Sequence, residues 1–389
     1  MSGSLIRDRF SAVAVKIETT PGTDAIGSTP AAGDWFGGTC EVQWDQSVTP
    51  NNEFTGSLDS APGIVGGLRA RVTLTTPLRG SGAPGTAPDF GRLLRCGTMQ
   101  ETITPTAIGA PTAATDGTEI GATLATPFAA TAQLYRGMPM LLSGAHTSVD
   151  GVVDYTAERV ASFGRTFDPA LGVSDSFQIP VNVLYGPTSD EAVYKTATIY
   201  LYKDGLRWRL TGFVGTPTIT LTTGGTGVVS VQGMAQLAAD PDVVALPAAA
   251  LGIVRPTPPR FVNGLCQLNR MTAQVRTLTF NLGVGTVLPD NPEALEGYDP
   301  AVPISRDTTV TLDPYTNVTS YVPLFNAFRQ GTSMPLQAII GTVPGNRFVL
   351  TVPAARATQN NPGNRDGLAT NQITADADGA DSGLFIAAF

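Results

Sequence analysis

The chain has 389 residues, 42% of them apolar and 14% charged, and 24 basic against 32 acidic residues leave a net charge of −8. So low a charged share excludes a charge-rich disordered polymer. An acidic balance with three lysines, Lys16, Lys195 and Lys203, argues against a basic nucleic-acid-binding face.

In chain order, Phe10–Glu18 alternates weakly and reads as an extended arm or edge strand, ended by the turn residues Thr19–Thr23. Cys40–Trp44 is a strand candidate, and 45–68 reads as a long polar loop of the kind that carries function. Arg69–Thr75 alternates with period two, as a half-buried strand does. Phe90, Leu93 and Leu94 share one helical face between Pro88 and Gly97, which predicts a short helix. Residues 101–132 are rich in Thr, Ala, Gly and Pro, and 133–194 return to strand-like patterns at Met138–Leu142, Val152–Tyr155 and Phe177–Ile179. Asp204-Gly205 between the alternating runs Ala197–Tyr202 and Leu206–Leu210 predicts a hairpin. Pro217–Thr222, Val228–Gln232, Val275–Leu282 and Thr308–Leu312 are further strands, 283–305 is a long loop, and Leu324–Gly331 is a short helix. The many glycines and prolines, 43 and 30, follow no G-X-Y period, so the fold class expected is mainly β with turns and long loops.

Landmarks recur in the same order along the two halves. Gly38–Val42 resembles Gly264–Leu268, and Val72–Leu74 resembles Val310–Leu312. Phe90–Thr98 resembles Leu324–Thr332, and Gly205–Thr211 resembles Gly345–Thr351. The ending Gly383–Phe389 resembles Gly227–Met234. These matches predict an internal duplication, interrupted in its first copy by an insertion over 101–194.

No catalytic, cofactor-binding or metal-binding residues assemble from the sequence, so the chain is expected to be no enzyme and to need no cofactor. His146, the single histidine, lies in a loop and is expected exposed, with no triad partners in evidence. Cys40, Cys96 and Cys266 have no CxxC spacing; they are too few and odd in number for a disulfide framework and fit a reducing compartment. Cys40 and Cys266 read as small buried residues. Gly224–Gly227 lacks the lysine of a phosphate loop and reads as a turn. Asp376–Asp381 lacks the full EF-hand spacing and reads as an acidic turn. Asn317–Thr319 matches a glycosylation sequon without other signs of secretion. The N-terminus shows no signal-peptide core, and the longest apolar run, 243–254, is too short to span a bilayer.

Ala12–Asp24, Gly80–Gly82 with Ala87–Gly97, and above all Tyr200–Gly212 with the Thr/Gly strands after it resemble the tail tube (major tail) proteins of long-tailed bacteriophages. The resemblance covers 8–100 and 195–235, and more loosely 257–389; residues 134–187 resemble small β modules inserted in phage structural proteins. It implies β-sandwich or partial-barrel domains, each with one short helix. The first tube domain would be discontinuous, 1–100 with 195–235. The small inserted β domain would span 101–194, a linker 236–256, and the second tube domain 257–389.

It further implies self-association into rings, three chains with pseudo-sixfold symmetry or six chains as the alternative, stacked into a hollow tube for DNA ejection. Implied partners are the tape-measure, terminator and distal tail proteins, with non-specific passage of DNA and no membrane segment. The location implied is the virion tail, assembled in the host bacterial cytoplasm. Four strands per domain would give a ring of about 24, hence a wall about 50 Å across and a lumen on the order of 40 Å. Stacking is expected to use the arm 1–25 and the loops 45–68 and 283–305. Another virion component (capsid, decoration or adhesin) stays open, as does a carbohydrate-binding or hydrolase β-sandwich.

Overall fold

A computed structural model describes residues 5–251 and 253–389. Strands hold 51% of the residues and helices 7%, so the chain is mainly β.

The first stretch forms β1 (Ser11–Ile17), β2 (Trp35–Phe36), β3 (Thr39–Thr49), β4 (Ile64–Pro77), the short helix α1 (Gly91–Arg95) and β5 (Met99–Thr104). A closed six-stranded barrel follows: β6 (Ile108–Gly117), β7 (Gly121–Leu124), β8 (Pro139–Gly144), β9 (Ser148–Tyr155), β10 (Val160–Phe163) and β11 (Asp175–Ile179). Next come β12 (Asn182–Pro187), β13 (Ala197–Lys203), β14 (Leu206–Thr222) and β15 (Val228–Val243). The remainder begins with β16 (Leu265–Leu268), β17 (Met271–Thr272), β18 (Thr277–Asn281), β19 (Val284–Val287), β20 (Val302–Arg306) and β21 (Thr309–Leu312). It closes with helix α2 (Val318–Gln330), β22 (Met334–Ile340), β23 (Phe348–Arg365), β24 (Leu368–Ala377) and β25 (Phe385–Ala388).

Local chemistry accounts for several of these elements. The β13–β14 hairpin turns on Asp204 and Gly205, both at positive φ (37° and 97°), as its two-residue loop requires. Helix α2 starts at Asn317, whose side chain accepts the Ser320 N–H at 2.7 Å, and stops at Gly331 in the left-handed region.

Two parts of the chain trace the same antiparallel path. The first runs β1–β13–β14–β15–β4–β3, and the second β16–β22–β23–β24–β21–β18. In each, the helix lies between the fifth and second strands of the path, as α1 between β4 and β13 and α2 between β21 and β22. Two sequence landmarks nevertheless fall on unlike strands. Cys40 is on β3 but Cys266 is on β16, which takes the place of β1. The final strand β25 pairs with β23 and β12, and it is β24 that stands where β15 does. A short run of small and apolar residues does not encode which neighbour a strand meets.

Other expectations need correction. β1 is no free arm: it lies between β13 and β2, with Val13, Ala14 and Val15 buried. Of the expected arm 1–25, residues 1–4 lie outside the described residues. Within the 45–68 stretch, 45–49 and 64–68 extend β3 and β4 as paired strand, leaving 50–63 as the tip. The 283–305 loop contains the paired strands β19 and β20. The expected linker 236–256 begins as strand, since β15 continues to Val243 along β14 after its pairing with β4 ends at Gln236; Ala-Ala-Asp-Pro composition hid a ladder that register shifts in β14 accommodate. At the ends of 101–194, β5 and β12 belong to the large sheet, and β12 also pairs with β25. One hydrophobic core runs from Val13 to Ala388 through both halves. The barrel has its own core around Phe128, Tyr155, Phe163 and Phe177, completed by Val349, Phe385 and Phe389 of the second half.

Candidate functional site: a polar sheet face with two open edges

Eight strands lie side by side in the order β3–β4–β15–β14–β18–β21–β24–β23, all antiparallel. The first four come from the first of the two paths and the last four from the second. Alternation sends Leu74, Val231, Ile219, Phe280, Val310 and Ile373 into the core. Their sequence neighbours face the other way and are almost all uncharged polar residues: Thr73 and Thr75, Ser230 and Gln232, Thr218 and Thr220, Thr279 and Asn281, Thr309 and Thr311.

Hydroxyl contacts knit this face across strands. Thr75 Oγ1 and Ser230 Oγ are 3.5 Å apart, Thr220 Oγ1 and Thr279 Oγ1 3.4 Å, and Thr218 donates to Asn281 Oδ1 at 3.4 Å. Charge gathers toward the ends of the sheet, where part of it is paired. Asp45 on β3 meets Arg69 and Arg71, each at 3.2 Å. Arg365 on β23 meets Asp313 at 2.8 Å, with its guanidinium 3.9 Å from the centre of the Tyr315 ring.

Both outer strands have an unpaired edge. Leu78 N–H donates to Gly227 O, so even-numbered β4 residues face β15 and odd ones face β3. Their partners on β3 are Thr39, Glu41 and Gln43, which leaves the N–H and C=O groups of Cys40, Val42 and Trp44 pointing outward. At the other end, Asn371 N–H donates to Pro314 O and Ala369 O accepts from Thr316 N–H, both away from β23. Their β23 partners, Pro362 and Asn364, therefore also face outward. Neither edge has a backbone hydrogen-bond partner among the described residues. Beyond this sheet, the β3–β4 tip carries fully exposed Phe54 and Leu58, flanked by exposed Val48, Ile64 and Val65.

The 283–305 segment packs on its own chain. Glu296 accepts the Leu68 N–H at 2.9 Å, Arg69 lies over the Tyr298 ring, and Leu288 and Ala301 pack with Val214.

The residues singled out from the sequence do not converge. His146 is half-buried rather than exposed. Its Nδ1 is 2.9 Å from Asp175, and its ring meets Phe167 edge-on. Burial raises all three thiols, Cys40 and Cys266 to about 12 and Cys96 further. Within the acidic turn, Asp378 pairs with Arg356 and Asp381 with Arg306, and no cluster able to hold a metal ion occurs among the described residues. Asn317 is spent on the α2 cap. Of the tryptophans, Trp35 is buried, Trp208 half-buried and Trp44 exposed on β3. A cleft of about 280 Å³ between Arg95, Cys96, Glu191 and Lys195 offers one thiol, itself buried, and no imidazole. No helix among the described residues is long and apolar enough to cross a membrane.

Sequence reading missed three buried carboxylates. Glu18 accepts from Gly22 N–H, Thr196, Thr198 and Gly212 N–H at 2.6–2.9 Å. Asp175 accepts from the His146 and Gly172 N–H groups at 2.8 and 3.0 Å. Asp150 is held by Arg165 at 2.7 Å, yet its burial raises its pKa. Glu18 and Asp175 stand at strand ends beside turn residues, the one sequence signal they left; Asp150, inside β9, left none.

No protein-family model matches the chain, and no curated protein matches it.

Proposed function

We propose that the chain is a tandem duplication whose halves each give four strands to the wall of a hollow tube, as in the tail tube of a long-tailed bacteriophage. The observation that carries this reading is the eight-stranded sheet, polar and uncharged at its middle and unpaired at both edges. Three such chains give about 24 strands and a wall about 50 Å across, wide enough for a DNA duplex. Duplex DNA carries a negative charge every ~1.7 Å, so a wall that transports it gains from hydroxyls and amides that neither grip nor repel it. The shared path of β1–β13–β14–β15–β4–β3 and β16–β22–β23–β24–β21–β18 supports the duplication, and with it the three-chain ring over the six-chain one.

The role is structural and needs no reaction or cofactor. The small barrel leaves the polar face uncovered, because it packs on β23, β25 and β12. The exposed β3–β4 tip suits contact with the next ring, in a virion tail assembled in the host cytoplasm with tape-measure, terminator and distal tail proteins. Negative-stain imaging of the purified chain tests the reading. Stacked rings with threefold and pseudo-sixfold symmetry and a lumen on the order of 40 Å are expected. Shells, fibres or monodisperse compact particles overturn it.

A further inference from the structure

The two halves of the sheet are joined by one ladder, β14 with β18, and that ladder defines a second one. Thr218–Thr222 pairs with Asn281–Thr277, flanked by Leu282 N–H to Pro217 O at 3.0 Å and Thr223 N–H to Arg276 O at 2.9 Å. Strand β3 stands in the first half where β18 stands in the second. Val42 lies opposite Val72 as Phe280 lies opposite Val310, and Glu41 opposite Thr73 as Thr279 opposite Thr311. The far half of β23 stands where the far half of β14 stands. Pro217 lies opposite Val231, itself opposite Leu74; Asn360 lies opposite Ile373, itself opposite Leu312. Within one chain the β14 edge is filled by β18. The equivalent β23 edge is empty, and so is the outer edge of β3.

We propose that β3 of one chain pairs antiparallel with the far half of β23 of a second copy, repeating the β14–β18 joint between molecules. Transferring the register sets Gln43 opposite Asn361, Val42 opposite Pro362, Glu41 opposite Gly363, Cys40 opposite Asn364 and Thr39 opposite Arg365. The outward-facing backbone groups match: Cys40, Val42 and Trp44 meet Asn364, Pro362 and Asn360. Pro362 cannot donate, so one rung has a single hydrogen bond, Val42 N–H to Pro362 O. The internal joint already tolerates a proline at the same edge, Pro217, through its carbonyl alone. Glu41 comes diagonal to Arg365, which adds charge complementarity. Asn360 Oδ1, buried and without a partner in the single chain, lies at the start of this edge.

The contact is heterologous, so repeating it either closes a ring or grows a filament. The pairing rests on the duplication proposed above and not on the tail.

Cysteine cross-linking of the full chain tests it. Gln43 and Asn361 lie at opposite ends of the eight-stranded sheet, roughly 30 Å apart at ~4.8 Å per strand, too far for a bond within one chain. Mild oxidation of Q43C/N361C is expected to give disulfide-linked dimers and trimers on a non-reducing gel. T39C/N361C, four residues out of register, should give at least tenfold less. The wild-type chain, with its three cysteines buried, sets the background. Val42→Pro keeps every β3–β4 hydrogen bond, because Val42 faces outward. Placed in the Q43C/N361C chain, it should leave the thermal midpoint within a few degrees while cutting the linked fraction at least tenfold. Unlinked chains in particles that image as rings or tubes overturn the joint and leave the tube. Linked chains in particles that are neither overturn the tube and leave the joint. A chain that stays monomeric and unlinked at high concentration overturns the joint.

Discussion

Glu18 ends β1 with a carboxylate that is 3% exposed and accepts four hydrogen bonds. One of its donors is Gly212, at positive φ where the register of β14 against β15 shifts. Removing the acceptor strands several donors at once, each costing ~1–3 kcal/mol when buried. Glu18→Ala is therefore expected to destabilise the subunit by about 3 kcal/mol in urea denaturation, and an unchanged midpoint would show that water replaces the carboxylate. In the barrel, burial alone would raise the Asp175 pKa, but hydrogen bonds from Gly172 and His146 outweigh it and the net shift is downward. Asp381 shifts the same way: burial is overcome by Ser189 and Arg306. For carboxyls lowered on folding, the stabilisation is complete above the unfolded value of ~3.9 and is lost as the pH falls through the folded values. Asp150, raised by burial, works in the opposite sense. Asp175→Ala should cost about 2 kcal/mol at pH 7 and flatten part of the acid-denaturation curve below pH ~4; thermal melts from pH 2 to 7 measure both.

Elements show where local pattern sufficed. The Asp204-Gly205 hairpin, α1 and the C-terminal part of α2 with its stop at Gly331 were legible, because turn and cap chemistry act within a few residues. Helix α2 begins at Val318, six residues before the expected Leu324, because Pro323 inside it and a cap at Asn317 that matched a sequon hid its first turns. Register and neighbour were not. Cys40 and Cys266 carry similar flanks yet sit on β3 and β16, and the 236–243 segment of β15 gave no alternation strong enough to read. The tip 50–63 is the element most plainly without a partner, with Phe54 and Leu58 in solvent. Replacing 50–63 by Asn-Gly would close β3 onto β4 with a two-residue turn between Thr49 and Ile64. The shortened chain should fold with an unchanged circular-dichroism spectrum and form rings that do not stack; long tubes in the images would assign stacking elsewhere.

For the whole molecule, the proposed tube would present one sheet face to whatever passes through it. Thr220 and Thr279 meet on neighbouring strands at the centre of that face. Thr220→Arg with Thr279→Arg places two cations there per chain, and each Arg–phosphate contact holds DNA by ion pairing and counterion release. Tubes should still assemble, while genome ejection, followed by dye release from single virions, should slow at least tenfold at low salt and recover as salt rises. Ejection at the wild-type rate would remove the polar face from the transport path.

The amino-acid sequence by itself determined the mainly β class, the β13–β14 hairpin, α1, the second half of α2 and the recurrence of landmarks, since each rests on periodicity, turn residues or stop signals spaced closely along the chain. It did not reveal that Glu18, Asp150 and Asp175 would be buried among donors, that His146 would be clasped by Asp175, or that β15 outlasts its alternation. Only the tertiary structure decided that β14 binds β18, joining four strands to four, and that β3 and β23 are left with open edges. Strand pairing joins residues distant along the chain, such as Thr218 with Asn281, and is chosen by which backbone edges remain unsatisfied once the core is packed.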